Sequence, residues 1–414
     1  MRNVIWLVLL FAVAVVAALT LGDNSGLASF YWDGWRLDIS LNFFLIAVLA
    51  GGFAVVTAIQ AVNALVGLPA RAREWRALRL ERAAQSALRQ AMTEFFGGRY
   101  SRSHKAAQRA ATIRDDVDTL ADDHEFQMLA NLMAAGSLHR LQDRRRRDEW
   151  LDRALKLARR HPGAPMGDGA RLLAAEWALD DRDSPRATEL LAELPPGTSR
   201  RTQALRLKLQ AARLERRPLD ALHTARLLAH HQAFSAAAAQ GLLRSLAIEA
   251  LEAAHDAEQL RRIWQQFDVA DQRDAFVASR AARRAAQLGQ PEEGRQWLRP
   301  LWDRMDTLGA DGRAEVAMAL ADASQGLGTE WLARAEAVQR AYPAESAVQA
   351  GVGAVLMACR LWGKARRPLE QATADASLAA RARRRAWRQL AQLAEEEGDS
   401  ERAQAAWRRA ADID

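Results

Sequence analysis

Histidine and cysteine are the residue types through which this 414-residue chain could most readily bind a metal or act as a nucleophile. His223, His230 and His231 would share one face of a helix, because seven residues make about two helical turns. Such a face could supply an axial ligand to haem or a weak metal site. No further ligand completes the set, so we favour a polar helix surface. The single cysteine, Cys359, lies in an alanine-rich apolar segment and is expected to be a small core residue.

The sequence lacks the motifs of common cofactor-dependent enzymes. It has no Gly-x-Gly-x-x-Gly loop, no phosphate loop ending in Gly-Lys-Ser or Gly-Lys-Thr, and no His-Glu-x-x-His motif. Helical repeats without a nucleophile, metal or cofactor signature offer no catalytic constellation. We therefore predict that the chain is not an enzyme and has no catalytic residues and no metal site.

Arginine is the residue type with the clearest binding chemistry here, since guanidinium groups pair with carboxylates in two-pronged fashion. If the first helix of each repeat lines the concave side, a row of arginines faces a partner-binding groove: Arg171, Arg206, Arg213, Arg283 and Arg388. The row could pair with carboxylates on a partner protein or on a porphyrin; the alternative is a solvated surface. A second cluster, Arg144 to Arg147, is expected to be a solvated helix end, with a docking patch as its alternative.

Two uncharged apolar runs predict membrane-spanning helices. The first is residues 4–21, for which a cleaved signal peptide is the alternative, and the second is residues 39–66. The connector between them is acidic, with one basic residue, and Tyr31, Trp32 and Trp35 are placed as interfacial aromatics. The second run is followed by a basic anchor comprising Arg71, Arg73, Arg76, Arg79 and Arg82. Because basic flanks stay inside, both termini are expected in the cytoplasm, with the chain a multi-pass protein of the bacterial inner membrane.

Helical periodicity and scarce β-branched residues in the rest of the chain predict an all-α fold. The carboxyl-terminal stretch matches the tetratricopeptide pattern at Trp387, Leu390, Ala391, Gly398, Ala403, Trp407 and Ala410. Weaker units precede it, as a solenoid requires, because one helix pair cannot bury its apolar face alone. Trp387 and Trp407 are expected in the repeat core. We predict a two-helix transmembrane hairpin followed by a tetratricopeptide-like α-solenoid.

About the first 110 residues resemble a known family, and the remainder resembles it only as degenerate repeats. The segments Trp35–Leu41 (WRLDISL), Arg73–Ala83 (REWRALRLERA) and Phe95–Ala107 (FFGGRYSRSHKAA) are similar to the proteobacterial HemY family of membrane-bound tetratricopeptide proteins. The resemblance implies an inner-membrane protein linked to late, porphyrin-handling steps of protohaem synthesis. It implies that the chain organises or regulates the pathway enzymes, and it leaves open whether haem or a porphyrin binds. An unrelated flavoenzyme, protoporphyrinogen oxidase, shares the HemY name, but its flavin-binding glycine fingerprint is missing here.

We compare three functions that these features could serve. The first is a membrane-tethered scaffold for haem-pathway enzymes, the second a direct porphyrin or haem carrier, and the third an assembly adaptor unrelated to haem. The expected domains are a membrane anchor (1–66), a basic juxtamembrane region (67–109) and a repeat domain (110–414). The net charge of +7 supports this division, because residues 67–109 contain ten basic and three acidic residues. Membrane lipid is therefore an expected partner of the basic region, and nucleic acid is not.

Overall fold

The computed structural model describes residues 25–115, 123–161, 163 and 165–413. The chain divides into two compact units, Met1–Arg147 and Asp148–Asp414. The predicted first membrane helix, residues 4–21, lies outside the described residues.

The described part of unit 1 starts with a β-hairpin, which corrects the all-α prediction. Strands β1 (Leu27–Trp32) and β2 (Trp35–Ser40) pair antiparallel, and Trp32 pairs with Trp35 across a two-residue turn. Asp33 and Gly34 occupy the turn with φ of 41° and 83°. Positive φ at both positions gives the backbone twist that a tight hairpin needs, and Asp-Gly tolerates it well. The signal was present, because β2 (WRLDIS) alternates apolar and polar residues directly after the Asp-Gly turn. It was missed because residues 22–38 were interpreted as the connector between two membrane spans, with Ile39 and Ser40 in the second span.

Helix α1 (Leu41–Phe96) has 56 residues and is about 84 Å long at 1.5 Å per residue. Its first part, Leu41–Val62, is apolar and exposed, and it is the one described segment long and apolar enough to cross a membrane. The second predicted span therefore starts two residues later than expected, because Ile39 and Ser40 belong to β2. A two-helix transmembrane hairpin is not confirmed.

The far end of α1 packs against α2 (Tyr100–Asp115) and α3 (His124–Arg140). Fully buried alanines allow a close approach, and two buried hydroxyls connect the three helices. Ser103 Oγ donates to the Ala91 carbonyl over 2.7 Å, and Ser137 Oγ lies 2.9 Å from Ser103 Oγ. A buried hydroxyl must find a partner, so these contacts also fix how the helices are aligned.

The remaining described helices follow in chain order. Their bounds are α4 (Arg144–Arg160), α5 (Pro165–Asp180), α6 (Ser184–Ala192), α7 (Pro196–Ser199), α8 (Thr202–Leu214), α9 (Pro218–His230), α10 (Ala236–Glu252), α11 (Ala257–Gln265), α12 (Val269–Gln272), α13 (Ala275–Gln287), α14 (Pro291–Trp302), α15 (Ala310–Asp322), α16 (Leu332–Ala341), α17 (Ser346–Ala358), α18 (Trp362–Ala374), α19 (Ala380–Glu396) and α20 (Ser400–Ala411). Short 3₁₀ turns at Met305–Thr307 and Thr329–Trp331 precede α15 and α16.

Unit 2 is a stack of helix pairs, which confirms the predicted helical repeats. The first helices α13, α15, α17 and α19 contact one another in sequence. The first helix also contacts its second helix in the pairs α5–α6, α8–α9, α10–α11, α13–α14, α17–α18 and α19–α20. One continuous apolar core runs from Leu205 to Ala406. The prediction for Trp407 was wrong: its ring is 38% exposed and its Nε1 donates to Glu395 over 2.8 Å. It lies on α20.

The stack depends on small residues where first helices meet. A Cβ added to Gly351 of α17 would lie 2.6 Å from the carbonyl oxygen of Ala317 in α15. Such a separation is far inside van der Waals contact with backbone atoms, which cannot move alone.

We predict that Gly351→Ala lowers the free energy of unfolding by about 1–3 kcal/mol, because the two helices must separate to admit the methyl group. Gly241→Ala, on an open face of α10 with no atom within 4 Å of the added Cβ, serves as the matched control. It should leave stability unchanged or raise it by up to about 1 kcal/mol. Thermal melts of the full chain in one detergent compare them, and equal melting temperatures for the two variants would contradict the close packing.

Candidate partner-binding groove

A solvent-open groove of about 720 Å³ lies along the first helices of the later repeats in unit 2. It is bounded by α13, α15 and α19, together with the residue that precedes α19. The lining residues are Arg283, Glu315, Met318, Asp322, Ala379, Arg381, Ala382, Arg384, Arg385 and Arg388. The groove is thus formed mainly by charged side chains, with five arginines and two acidic residues.

Asp322 is the centre of the groove. Its carboxylate accepts from Arg283 Nε at 3.1 Å and pairs with Arg385, and Arg381 lies 3.8 Å away. Asp322 is the last residue of α15, where the helix dipole disfavours negative charge. The surrounding guanidinium groups offset this cost, and they join α15 to α13 and α19.

Arg295 of α14 binds the backbone that directly follows α15. This side chain is buried, and its Nη1 donates to the carbonyls of Ala323 and Gln325, both at 2.8 Å. Burial lowers the pKa of Arg295. A buried guanidinium therefore satisfies the carbonyls that follow α15, and it fixes the position of Asp322.

The two acidic residues do not neutralise all five arginines. Glu315 binds Arg283 at 2.7 Å. Arg384 donates to the Ile413 carbonyl, which carries no full charge. Arg388 is exposed and, within the part of the chain that the structure describes, has no ion-pair partner. The Arg381 side chain is 82% exposed. The groove therefore carries an excess of positive charge that a negatively charged ligand can offset.

The five predicted groove arginines fall in different places. Arg283 and Arg388 line the same groove, as the prediction required. Arg171 lies on α5 and pairs with Asp168 at 3.6 Å and with Glu193 at 3.3 Å, so its charge is offset within the chain. Arg206 and Arg213 are exposed on α8, outside the lining of this groove.

Three groove arginines were missed: Arg381, Arg384 and Arg385. Together with Arg388 they occupy positions i, i+3, i+4 and i+7 of α19. That spacing places side chains on one face of a helix. The arginine-rich run from 381 to 388 was visible in the sequence, but which of its residues face the groove depends on how α19 packs against α17.

The basic anchor at the membrane exit is partly described. Arg76, Arg79 and Arg82 are exposed on α1, and the Arg79 guanidinium lies over the Trp75 ring at 5.5 Å from its centroid. The side chains of Arg71 and Arg73 lie outside the described residues. Exposed arginines at this position can contact anionic lipid headgroups.

Other predicted sites have different surroundings. His223, His230 and His231 are exposed, and the described residues contain no group of His, Cys, Asp and Glu side chains able to hold a metal. Cys359 is half-buried at the end of α17, and burial raises its pKa. Arg147 corrects the view of the Arg144–Arg147 run as wholly solvated, because it is buried with Nη1 3.3 Å from His139 Nδ1.

The fold and groove define a helical-repeat protein with a candidate membrane span and a cationic groove. Residues 26–142 match the family described as "HemY protein N-terminus", so this segment is similar to that family and the predicted resemblance is confirmed. No curated protein matches the chain. Among solved structures, the chain is similar to one titled "Crystal structure of APC/C hetero-tetramer Cut9-Hcn1", with 14% identity and a TM-score of 0.30. That alignment covers 78% of this chain and 64% of the other.

We predict that Asp322→Asn lowers the free energy of unfolding by about 1–3 kcal/mol, because Arg385 loses its carboxylate partner and Arg283 keeps only Glu315. Asp311→Asn, at the start of α15, is a control with the same change on the same helix. Chemical denaturation of the full chain measures both variants. A loss for Asp311→Asn as large as that for Asp322→Asn would show that the groove cluster has no special part in stability.

Proposed function

We propose that this protein is a membrane-tethered scaffold that binds enzymes of late protohaem synthesis through its repeat groove. The observation that carries the proposal is the positively charged groove on a stack of helix pairs, in a chain whose residues 26–142 are similar to the HemY amino-terminal family. Stacked repeats expose a long continuous surface, and such surfaces bind other proteins.

Helix α1 supports the proposed attachment to the membrane. Its apolar segment Leu41–Val62 continues as one helix into the part that packs with α2 and α3. The aromatic hairpin precedes the span and the arginines follow it, so the positive-inside rule favours a cytoplasmic repeat domain. In this topology the inner membrane holds the groove near enzymes that act at the membrane surface.

Binding rather than catalysis suits the chemistry of the groove. Arginine stays protonated near neutral pH, so its guanidinium groups do not serve as general acids or bases there. The two carboxylates are engaged with arginines, Glu315 with Arg283 and Asp322 with Arg283 and Arg385. These contacts suit the recognition of a negatively charged partner.

A porphyrin or haem carrier is the second candidate. It is favoured by the same arginines, because porphyrins carry carboxylate side chains that guanidinium groups can bind. An assembly adaptor unrelated to haem is the third, and it shares the same groove and anchor.

Affinity purification from native membranes separates these functions. A tag belongs at the amino terminus, because Arg384 binds the Ile413 carbonyl near the other end. We expect quantitative mass spectrometry to show enrichment of porphyrin-pathway enzymes, and disruption of the gene to change cellular porphyrin levels. An unchanged porphyrin profile together with other enriched proteins would favour the adaptor. A Soret band that co-purifies without pathway enzymes would favour the carrier.

A further inference from the structure

We propose that the groove binds an extended acidic segment of a partner protein, with carboxylates of that segment on Arg381 and Arg388. The inference rests on the proposed function in one respect, since it assumes that the groove contacts a protein. It adds the chemistry of the segment that is recognised.

Arg381 and Arg388 are the two exposed arginines among those that line the groove. They lie seven residues apart on α19, which separates them by about 10 Å along the helix axis. Arg388 is exposed with no ion-pair partner among the described residues, and Arg381 reaches Asp322 only at 3.8 Å. Two cations at this separation suit a ligand with two negative groups about 10 Å apart.

Two other groove arginines, Arg283 and Arg385, are held in place by contacts within the chain. Asp322 binds Arg283 and Arg385, and Arg385 also donates to the Ala321 carbonyl, so these two guanidinium groups are held in place before any ligand arrives. Each guanidinium has five N–H donors, and the contacts of Arg283 and Arg385 within the chain do not use all of them. Pre-organised donors reduce the entropy lost when a ligand binds.

An extended peptide fits this spacing. A strand advances about 3.3 Å per residue, and every second side chain points the same way. Acidic residues two to four positions apart place their carboxylates roughly 7–13 Å apart, which brackets the separation of the two arginines. The flexible arginine side chains accommodate the remainder.

The lining argues against a large apolar ligand. Among the groove residues only Met318, Ala379 and Ala382 are apolar, and none of the lining side chains is aromatic. Pockets that hold apolar cofactors are lined mainly by hydrophobic and aromatic side chains. A polar, solvent-open groove instead suits a peptide, whose backbone remains hydrated while its carboxylates pair with arginine.

The test measures binding of a fluorescent peptide to the full chain in nanodiscs of phosphatidylcholine. The probe is a ten-residue peptide with alternating glutamate and serine, and its partner probe has glutamine in place of every glutamate. We expect the acidic probe to bind and the glutamine probe to bind at least tenfold more weakly. Raising the salt from 50 to 500 mM should weaken the acidic probe at least fivefold, because exposed ion pairs are screened.

Two double variants locate the site. Arg381→Gln with Arg388→Gln should weaken the acidic probe at least tenfold. The matched control is Arg262→Gln with Arg299→Gln, which removes the same charge from exposed positions on the second helices α11 and α14. It should change the affinity less than twofold. Because all four side chains are exposed at the surface, folding should be the same in both double variants.

The proposal is overturned if the two double variants weaken the probe equally, or if the acidic probe does not bind. It is also overturned if protoporphyrin IX binds the full chain and that binding, rather than peptide binding, is lost in the Arg381 and Arg388 variant. These outcomes are distinguishable from failure of the pathway assignment. If porphyrin-pathway enzymes are recovered from membranes through contacts outside the groove, the scaffold role stands and only the groove is removed as its binding surface. Conversely, peptide binding without any haem enzyme among the partners would leave the acidic segment established and the pathway assignment wrong.

Discussion

The close approach of successive first helices is the constraint on which unit 2 depends. Where α15 meets α17, Gly351 leaves no room for even one methyl group against the Ala317 backbone. Fully buried alanines are spread along the first helices, among them Ala282 of α13 and Ala319 of α15. Small residues let the helices stack tightly, so that one apolar core extends through many pairs. The stack in turn brings residues far apart in sequence onto one surface.

The groove is a consequence of that stacking. Arg283 and Arg385 come from helices about a hundred residues apart, and both bind the carboxylate of Asp322. The carboxylate lies at the end of its helix where the dipole disfavours negative charge, and the two guanidinium groups offset that cost. Arg295 supports the same helix end from the buried side. In the proposed account, the cluster that joins the helices also forms the binding groove, and Arg381 and Arg388 are its exposed arginines.

The features that depend on local periodicity could be predicted from the sequence. The helix pairs, the second apolar run and two of the groove arginines, Arg283 and Arg388, could be predicted because helical spacing determines which residues share a face. The hairpin was missed although the Asp-Gly turn and the alternating residues of β2 both indicated it, because this segment was interpreted as the connector between two membrane spans. The surroundings of Arg171 and the buried position of Arg147 could not be predicted, since both depend on the orientation of side chains from other turns or helices. Long-range pairing is set by tertiary packing, which a single sequence does not show.

The central claim is that the groove contacts a partner in the living cell. Site-specific photocrosslinking tests it most directly, with a photoreactive residue placed at Met318 in the groove and, in a second strain, at Arg262 on α11. The account predicts that the Met318 position captures a defined protein that the Arg262 position does not, and that the captured peptide is rich in aspartate and glutamate. Capture from Arg262 alone, or the same products from both positions, would contradict the account.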